Sequence, residues 1–205
     1  MRPFAALAAG TCPPHEEMLL AVAAELGPYD VRRVSDAIGS LAAALPEPEA
    51  APAAQLEAVA ALVHDALTVD VEGALLLPDV LRTGTGHAAG VTAALGAACA
   101  RRGISVDVVG HGTQTWLAHP DAAPLVVDPV RGEVVDGRGL EADLAWRCAH
   151  ELAHVTLALL TERAERDGDL GLALHAAELG SRLPLDGSWP AGPTATLSRV
   201  RARLN

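Results

Sequence analysis

The sequence predicts an α+β fold: a run of helices, then one helix with several short strands, then a helical tail. Three observations carry this. Residues 13–67 and 140–205 place apolar side chains at helical spacing between Gly and Pro breaks. Residues 105–130 change to short runs rich in Val, Thr and Trp, separated by turn residues. Half of the residues are apolar but only 2% are aromatic, so the core must be built from Ala, Leu and Val.

The elements follow in order. Pro13-Pro14 opens "HEEMLLAVAAELG", with acids in the first turn and Gly27 as its stop. Asp30 caps a second amphipathic helix, "VRRVSDAIGSLAAAL". The acidic Pro/Ala linker 46–54 leads into a third, with Leu56, Val59, Leu62 and Val63 on its apolar face. Gly84 and Gly86 then form a Gly-rich turn before an Ala-rich helix, which Arg101-Arg102 and Gly103 close. "SVDVVG", "TQTWLAH" and "PLVVDPV" read as strands, and "RGEVVDGRG" as a hairpin arm or loop. Helical period returns from Leu140, breaks at "DGDLG", resumes in "LALHAAELGSRL", and ends in "TATLSRVRARLN" after the loop "PLDGSWPAGP". The expected organisation is an N-terminal helical region (1–70), a mixed core (71–140) and a C-terminal helical region (141–205) in one compact unit.

Charge and composition remove several function classes. A net charge of −11 argues against nucleic-acid and anionic-membrane partners. All 15 basic residues are Arg, so Schiff-base and P-loop lysine chemistry is excluded. Cys12, Cys99 and Cys148 are odd in number and widely spaced, as reduced thiols are. The apolar run at the N-terminus is broken by Gly10 and Pro13-Pro14, too soon for a signal peptide, and the expected location is cytoplasmic.

The central segment reads Gly86-His87-Ala88, then Gly103-Ile104, then Gln114-Thr115-Trp116, then Asp128-Pro129. This order resembles the core of the transglutaminase-like, papain-related superfamily. There a Gly-x-Cys turn starts a helix that ends at Gly-Ile, and the strands after it carry His-Ala-Trp and Asp-Pro. The chemistry behind the order is a thiol acidified at a helix N-terminus, a His that takes its proton, and an Asp that orients the His. The resemblance puts Ala88 at the cysteine position and Gln114 at the histidine position, and only Asp128 keeps its role. Ala88 offers no nucleophile, and Gln114 accepts no proton at neutral pH. With the flanks included, residues 4–183 resemble the SirB-type invasion-regulator proteins, which join a transglutaminase-like domain to tetratricopeptide-like helices. Some of their members lack the cysteine too and carry Thr-Gln where Thr113-Gln114 stand. The resemblance implies a papain-like core and a short tetratricopeptide-like tail. It also implies a catalytically degenerate protein that binds a peptide, protein or small molecule in the former active-site cleft, with no cofactor. His87, His111, Gln114, Trp116 and Asp128 would line that cleft, with His119 nearby.

Two further readings use other chemistry. His150-Glu151-Leu152-Ala153-His154 has the H-E-x-x-H spacing of a zinc-peptidase helix, with the two imidazoles four residues apart on one face. A zinc hydrolase built on it would take His150 and His154 as ligands, Glu178 as the third and Glu151 as general base; Glu162 and His175 are weaker third ligands. The competing expectations are a non-catalytic metal, or a helix surface where the His are incidental, since Leu144, Cys148, Leu152, Val155 and Leu159 form the apolar stripe. The other reading retains the cleft and uses His87, Gln114 and Asp128 for acid–base work on a small substrate. Gly84-Thr85-Gly86 is expected to be a tight turn, and Cys99 and Cys148 to be core thiols on apolar helix faces.

Overall fold

Helix boundaries in the computed structural model, which describes residues 2–140, 143–185 and 193–204, follow local capping chemistry. Helix α1 (Phe4–Ala8) precedes α2 (His15–Leu26), which starts directly after Pro13-Pro14 with Glu16 and Glu17 in its first turn. Asp30 caps α3 (Val31–Ala43), its carboxylate accepting the Arg32 and Arg33 amides. Pro52 supplies the first residue of α4 (Pro52–Asp65). A strand β1 (Thr68–Ala74), a short helix α5 (Leu77–Thr83) and a two-residue β2 (Thr85–Gly86) lead into α6 (Ala88–Arg102). Gly103 ends α6 in the left-handed conformation (φ 82°), and the Ile104 amide returns to the Cys99 carbonyl. Strands β3 (Asp107–His111), β4 (Gln114–Ala118), β5 (Leu125–Asp128), β6 (Glu133–Asp136) and β7 (Ala145–Trp146) follow. The chain closes with α7 (Ala149–Asp167), α8 (Leu170–Gly180) and α9 (Pro193–Leu204). The α+β class is therefore observed.

These elements form two compact units: residues up to Tyr29 together with those from Cys148 onward, and residues 30–147. Helices α2 and α3, expected in one N-terminal region, belong to different units.

The unit of residues 30–147 is built on a five-stranded antiparallel sheet in the order β6-β5-β4-β3-β7. Its register is regular, with Val109 opposite Trp116 and Val127 opposite Val134. Helix α6 packs on β3 and β4, α4 packs on β5 and β6, and the two helices touch. The core is aliphatic as composition requires: Val91, Ala94, Leu95, Ala98 and Cys99 of α6 are fully buried, as are Leu56 and Val59 of α4. The Thr92 and Thr115 hydroxyls, 3.0 Å apart and buried, tie α6 to β4. Strand β1 pairs with β2 in parallel, with a bulge between Val69 and Ala74. Arg147 is buried at the end of this unit, its guanidinium lying over Gly110 and donating to the Gly112 carbonyl at 2.6 Å.

In the other unit α7 packs on α2 and α8, and α9 packs on α8. Gly168 (φ 80°) ends α7, and Asp169 caps α8 through the Leu172 amide. Glu165 of α7 accepts ion pairs from Arg199 and Arg203 of α9.

Three expectations about elements need correction. The helix containing His150 does not begin near Leu140: Ala145–Trp146 forms a sheet-edge strand, and the helix starts at Ala149. Period alone could not separate a short strand from the helix behind it, and Glu141 and Ala142 lie outside the described residues. Cys148 is not on an apolar helix face but at the N-cap of α7. Strand β1 and helix α5 fall where no element was expected. Most of the expected loop 184–193 lies outside the described residues.

Candidate functional site

A cavity of about 330 Å³ opens where the N-terminus of α6 meets the sheet. Ala88, the first residue of α6, contributes from the helix, Gln114, Thr115 and Trp116 from β4, and Asp128 from the end of β5. Val69 and Val71 of β1 and Val130 beyond β5 supply apolar wall, while Thr113 and Arg131 add polar groups. The local sequence explains the positions. His87 caps α6, its Nδ1 accepting the Ala89 amide at 3.3 Å, so residue 88 must sit in the first turn with its Cβ at the cavity. Close approach is enforced by glycine: a Cβ on Gly86 would stand 2.6 Å from a Val80 methyl, and one on Gly90 2.8 Å from the same atom.

Of the residues expected in the cleft, His87, Ala88, Gln114, Trp116 and Asp128 all line this cavity. His111 does not: it is exposed on β3 opposite Gln114. His119 faces a separate cavity of about 450 Å³, which Pro124, Arg138 and Trp146 also line, and its Nδ1 accepts the Asp121 amide.

Asp128 is buried and works on the backbone. Its Oδ1 accepts the Val130 amide at 2.8 Å and the Arg131 amide at 3.3 Å, while its carbonyl accepts Gly132 at 2.8 Å. Arg131 Nε stands 3.8 Å from Oδ2. The carboxylate that would orient a histidine thus fixes the 128–132 turn, which forms one lip of the cavity. The lining side chains carry one amide, the Thr113 hydroxyl, an indole N–H, a tethered carboxylate, a capping imidazole and a guanidinium, while the Thr115 hydroxyl is taken up by Thr92. Such groups hydrogen-bond a ligand, and no cysteine lies among them.

The H-E-x-x-H segment lies in the other unit. His150 and His154 are both buried, at 4% and 6% exposure, which corrects the helix-surface expectation. Residues 149–157 of α7 are all buried except Glu151, so its buried face is wider than the predicted stripe. His150 Nε2 lies 3.0 Å from the Leu7 carbonyl. Glu151, the candidate base, instead caps the helix: its Oε2 accepts the Cys148 amide at 2.7 Å. Glu178 is ion-paired with Arg201. Among the described residues, His150, His154 and Glu178 form no ligand cluster. The cluster that does form joins His150 to Cys12 and Cys148, all within 4.8 Å. Sequence reasoning missed this set because Cys12 lies far from the other two in the chain and no spacing motif links it to them.

Compared with protein-family models, with curated proteins and with solved structures, the chain has no significant match in any of the three. The functional reading therefore rests on the site itself.

Proposed function

We propose that this chain is a degenerate transglutaminase-like protein that binds a ligand in its cleft and does not cleave it. The observation that carries the reading is the gathering of Ala88, Gln114 and Asp128 at one cavity of about 330 Å³, at the N-terminus of a helix packed on an antiparallel sheet. These are the three positions that the resemblance assigns to nucleophile, base and orienting carboxylate. The first two carry no such chemistry, and the third is occupied with backbone amides. What remains is a pocket with apolar walls from Val69, Val71, Val130 and Trp116 and with hydrogen-bonding groups from Gln114 and Thr113. A peptide segment suits it: the Gln114 amide both donates and accepts, as a peptide group requires.

The test is amide-resolved NMR titration of the full chain with a panel of short peptides. The expected result is saturable shifts confined to residues 69–71, 87–88, 113–116 and 128–131, reduced about tenfold in affinity by Gln114→Ala, a loss of about 1.4 kcal/mol. Shifts scattered over both units, or saturable binding unaffected by Gln114→Ala and by the cavity-filling Ala88→Leu, would refute the reading.

A further inference from the structure

The N-terminus of α7 holds a cluster that the cleft does not use. The sulfurs of Cys12 and Cys148 and one ring nitrogen of His150 lie within 4.8 Å of one another, all in the same compact unit. Each is already oriented. Cys148 is the helix N-cap, His150 stands two residues on, and Cys12 Sγ accepts the Ala149 amide at 3.0 Å. We propose that Cys12, Cys148 and His150 bind a thiophilic divalent metal of the zinc class, with a fourth coordination position open on the exposed Cys12 side.

Size comes first. With zinc–sulfur bonds of about 2.3 Å and zinc–nitrogen bonds of about 2.05 Å, tetrahedral ligands stand about 3.8 Å (S···S) and about 3.6 Å (S···N) apart. Closing from 4.8 Å requires separations to shrink by at most about 1.2 Å. Cys12 sits in an exposed turn before Pro13-Pro14 and can make that movement.

The surroundings of the ligands are the second argument. A carbonyl oxygen only accepts, so the His150 Nε2 that lies 3.0 Å from the Leu7 carbonyl carries the hydrogen. Nδ1 is left with its lone pair. A ligating histidine that donates its other N–H to a carbonyl is the usual outer-shell arrangement of zinc sites, because it fixes the tautomer and strengthens the donor. The Ala149 amide donates to Cys12 Sγ and so favours its thiolate form, and the α7 N-terminus adds a favourable partial positive charge.

Charge is the third. Two adjacent thiolates repel, and a divalent cation removes that repulsion. Binding is then an exchange: the metal enters, two thiol protons leave to solvent, and neutral His150 adds its lone pair, giving a site of net charge zero. No residue is shared with the cleft, so either reading can fail alone.

The test uses the full chain, stripped of metal by a chelator and kept reduced with a phosphine, titrated with Co²⁺ and then with Zn²⁺. One Co²⁺ per chain is expected, with sulfur-to-cobalt charge-transfer absorption and ligand-field bands of tetrahedral intensity that stoichiometric Zn²⁺ bleaches. Cys12→Ser, an exposed position, should weaken binding by at least about tenfold and diminish the charge-transfer band, as should Cys148→Ser. Cys99→Ala and Glu178→Gln should leave both unchanged, and circular dichroism reports whether each variant folds. Affinity should rise between about pH 6 and 8 as the displaced protons are taken up. Absence of the charge-transfer band in the reduced wild type, or binding that survives Cys12→Ser, would overturn the proposal. Loss of binding in Glu178→Gln would overturn it too, by moving the metal to the H-E-x-x-H set.

Discussion

Ala88 and Glu151 are the two residues whose roles are most open to direct test. Ala88 begins α6, so a cysteine there would feel the same helix N-terminus and capping geometry that acidify catalytic thiols. Ala88→Cys combined with Gln114→His is expected to restore a reactive thiol. Its alkylation by iodoacetamide at pH 7 should exceed that of Ala88→Cys alone by about tenfold or more, because the imidazole raises the thiolate fraction. Equal rates for the single and double variants would show that β4 does not present residue 114 to the helix terminus. Glu151 reaches back from the first turn of α7 to the Cys148 amide at 2.7 Å. Glu151→Ala should therefore lower stability by roughly 0.3–1.5 kcal/mol, as loss of a helix cap does. Chemical denaturation measures it, and a variant as stable as wild type would leave the carboxylate without a structural role.

At the scale of elements, α6 organises its unit, and its two internal glycines make opposite predictions. Gly90 lies against Val80, where an added Cβ would stand 2.8 Å from a methyl carbon and 3.2 Å from the Leu75 carbonyl. Gly90→Ala should destabilise by about 1–3 kcal/mol, the cost of overpacking. Gly96 sits in the same helix with its nearest neighbour, a Leu117 methyl, at 3.8 Å. Ala there makes ordinary contact, so Gly96→Ala should stabilise by roughly 0.5–1 kcal/mol through helix propensity. Thermal melts of both decide the matter; a destabilising Gly96→Ala would contradict the 3.8 Å clearance to Leu117. The α7 helix teaches a related point. Its polar residues at His150, His154, Thr156 and Thr161 are buried, with the two threonine hydroxyls donating to the Leu152 and Leu157 carbonyls at 3.0 and 2.7 Å. A helix can therefore be buried nearly all round while its sequence reads as half polar.

At the scale of the whole molecule, each unit carries a thiol whose ionisation opposes folding. Burial raises Cys99 to about 12 in the unit of residues 30–147, and Cys148 to about 11 in the other. A folded-state value above the ordinary 9.0 means that the unfolded chain releases its protons first as pH rises. The stability these thiols contribute is fully present below about pH 9 and declines through about pH 11 to 12. Denaturation midpoints measured from pH 8 upward should fall, and Cys99→Ala should flatten the fall. An unchanged slope in that variant would show that Cys99 is not the source. The net charge of −11 adds repulsion at all these pH values, and high salt should soften that part alone.

Much of the fold was legible in the sequence because its cues are local. Pro13-Pro14, Asp30, Gly103, Gly168 and Asp169 mark helix ends through capping and backbone geometry that involve only near neighbours. The runs "SVDVVG", "TQTWLAH" and "PLVVDPV" announced three adjacent strands by their turns and β-branched residues, and "RGEVVDGRG", open between hairpin arm and loop, holds the fourth. The candidate cleft was partly legible too, since the resemblance singles out Ala88, Gln114 and Asp128, which lie on α6, β4 and β5 of one helix-and-sheet unit. What the sequence by itself determined is thus the class, the helix ends that carry capping residues, the aliphatic core and the lack of a thiol at residue 88. Only the tertiary structure decided that His150 and His154 are interior and that Glu151 is a cap. It alone turned His111 away from the cavity, tied Asp128 to backbone amides and brought Cys12 to Cys148 and His150. The reason is physical: capping and periodicity act within a few residues, whereas burial and ligand clusters depend on contacts between segments far apart in the chain.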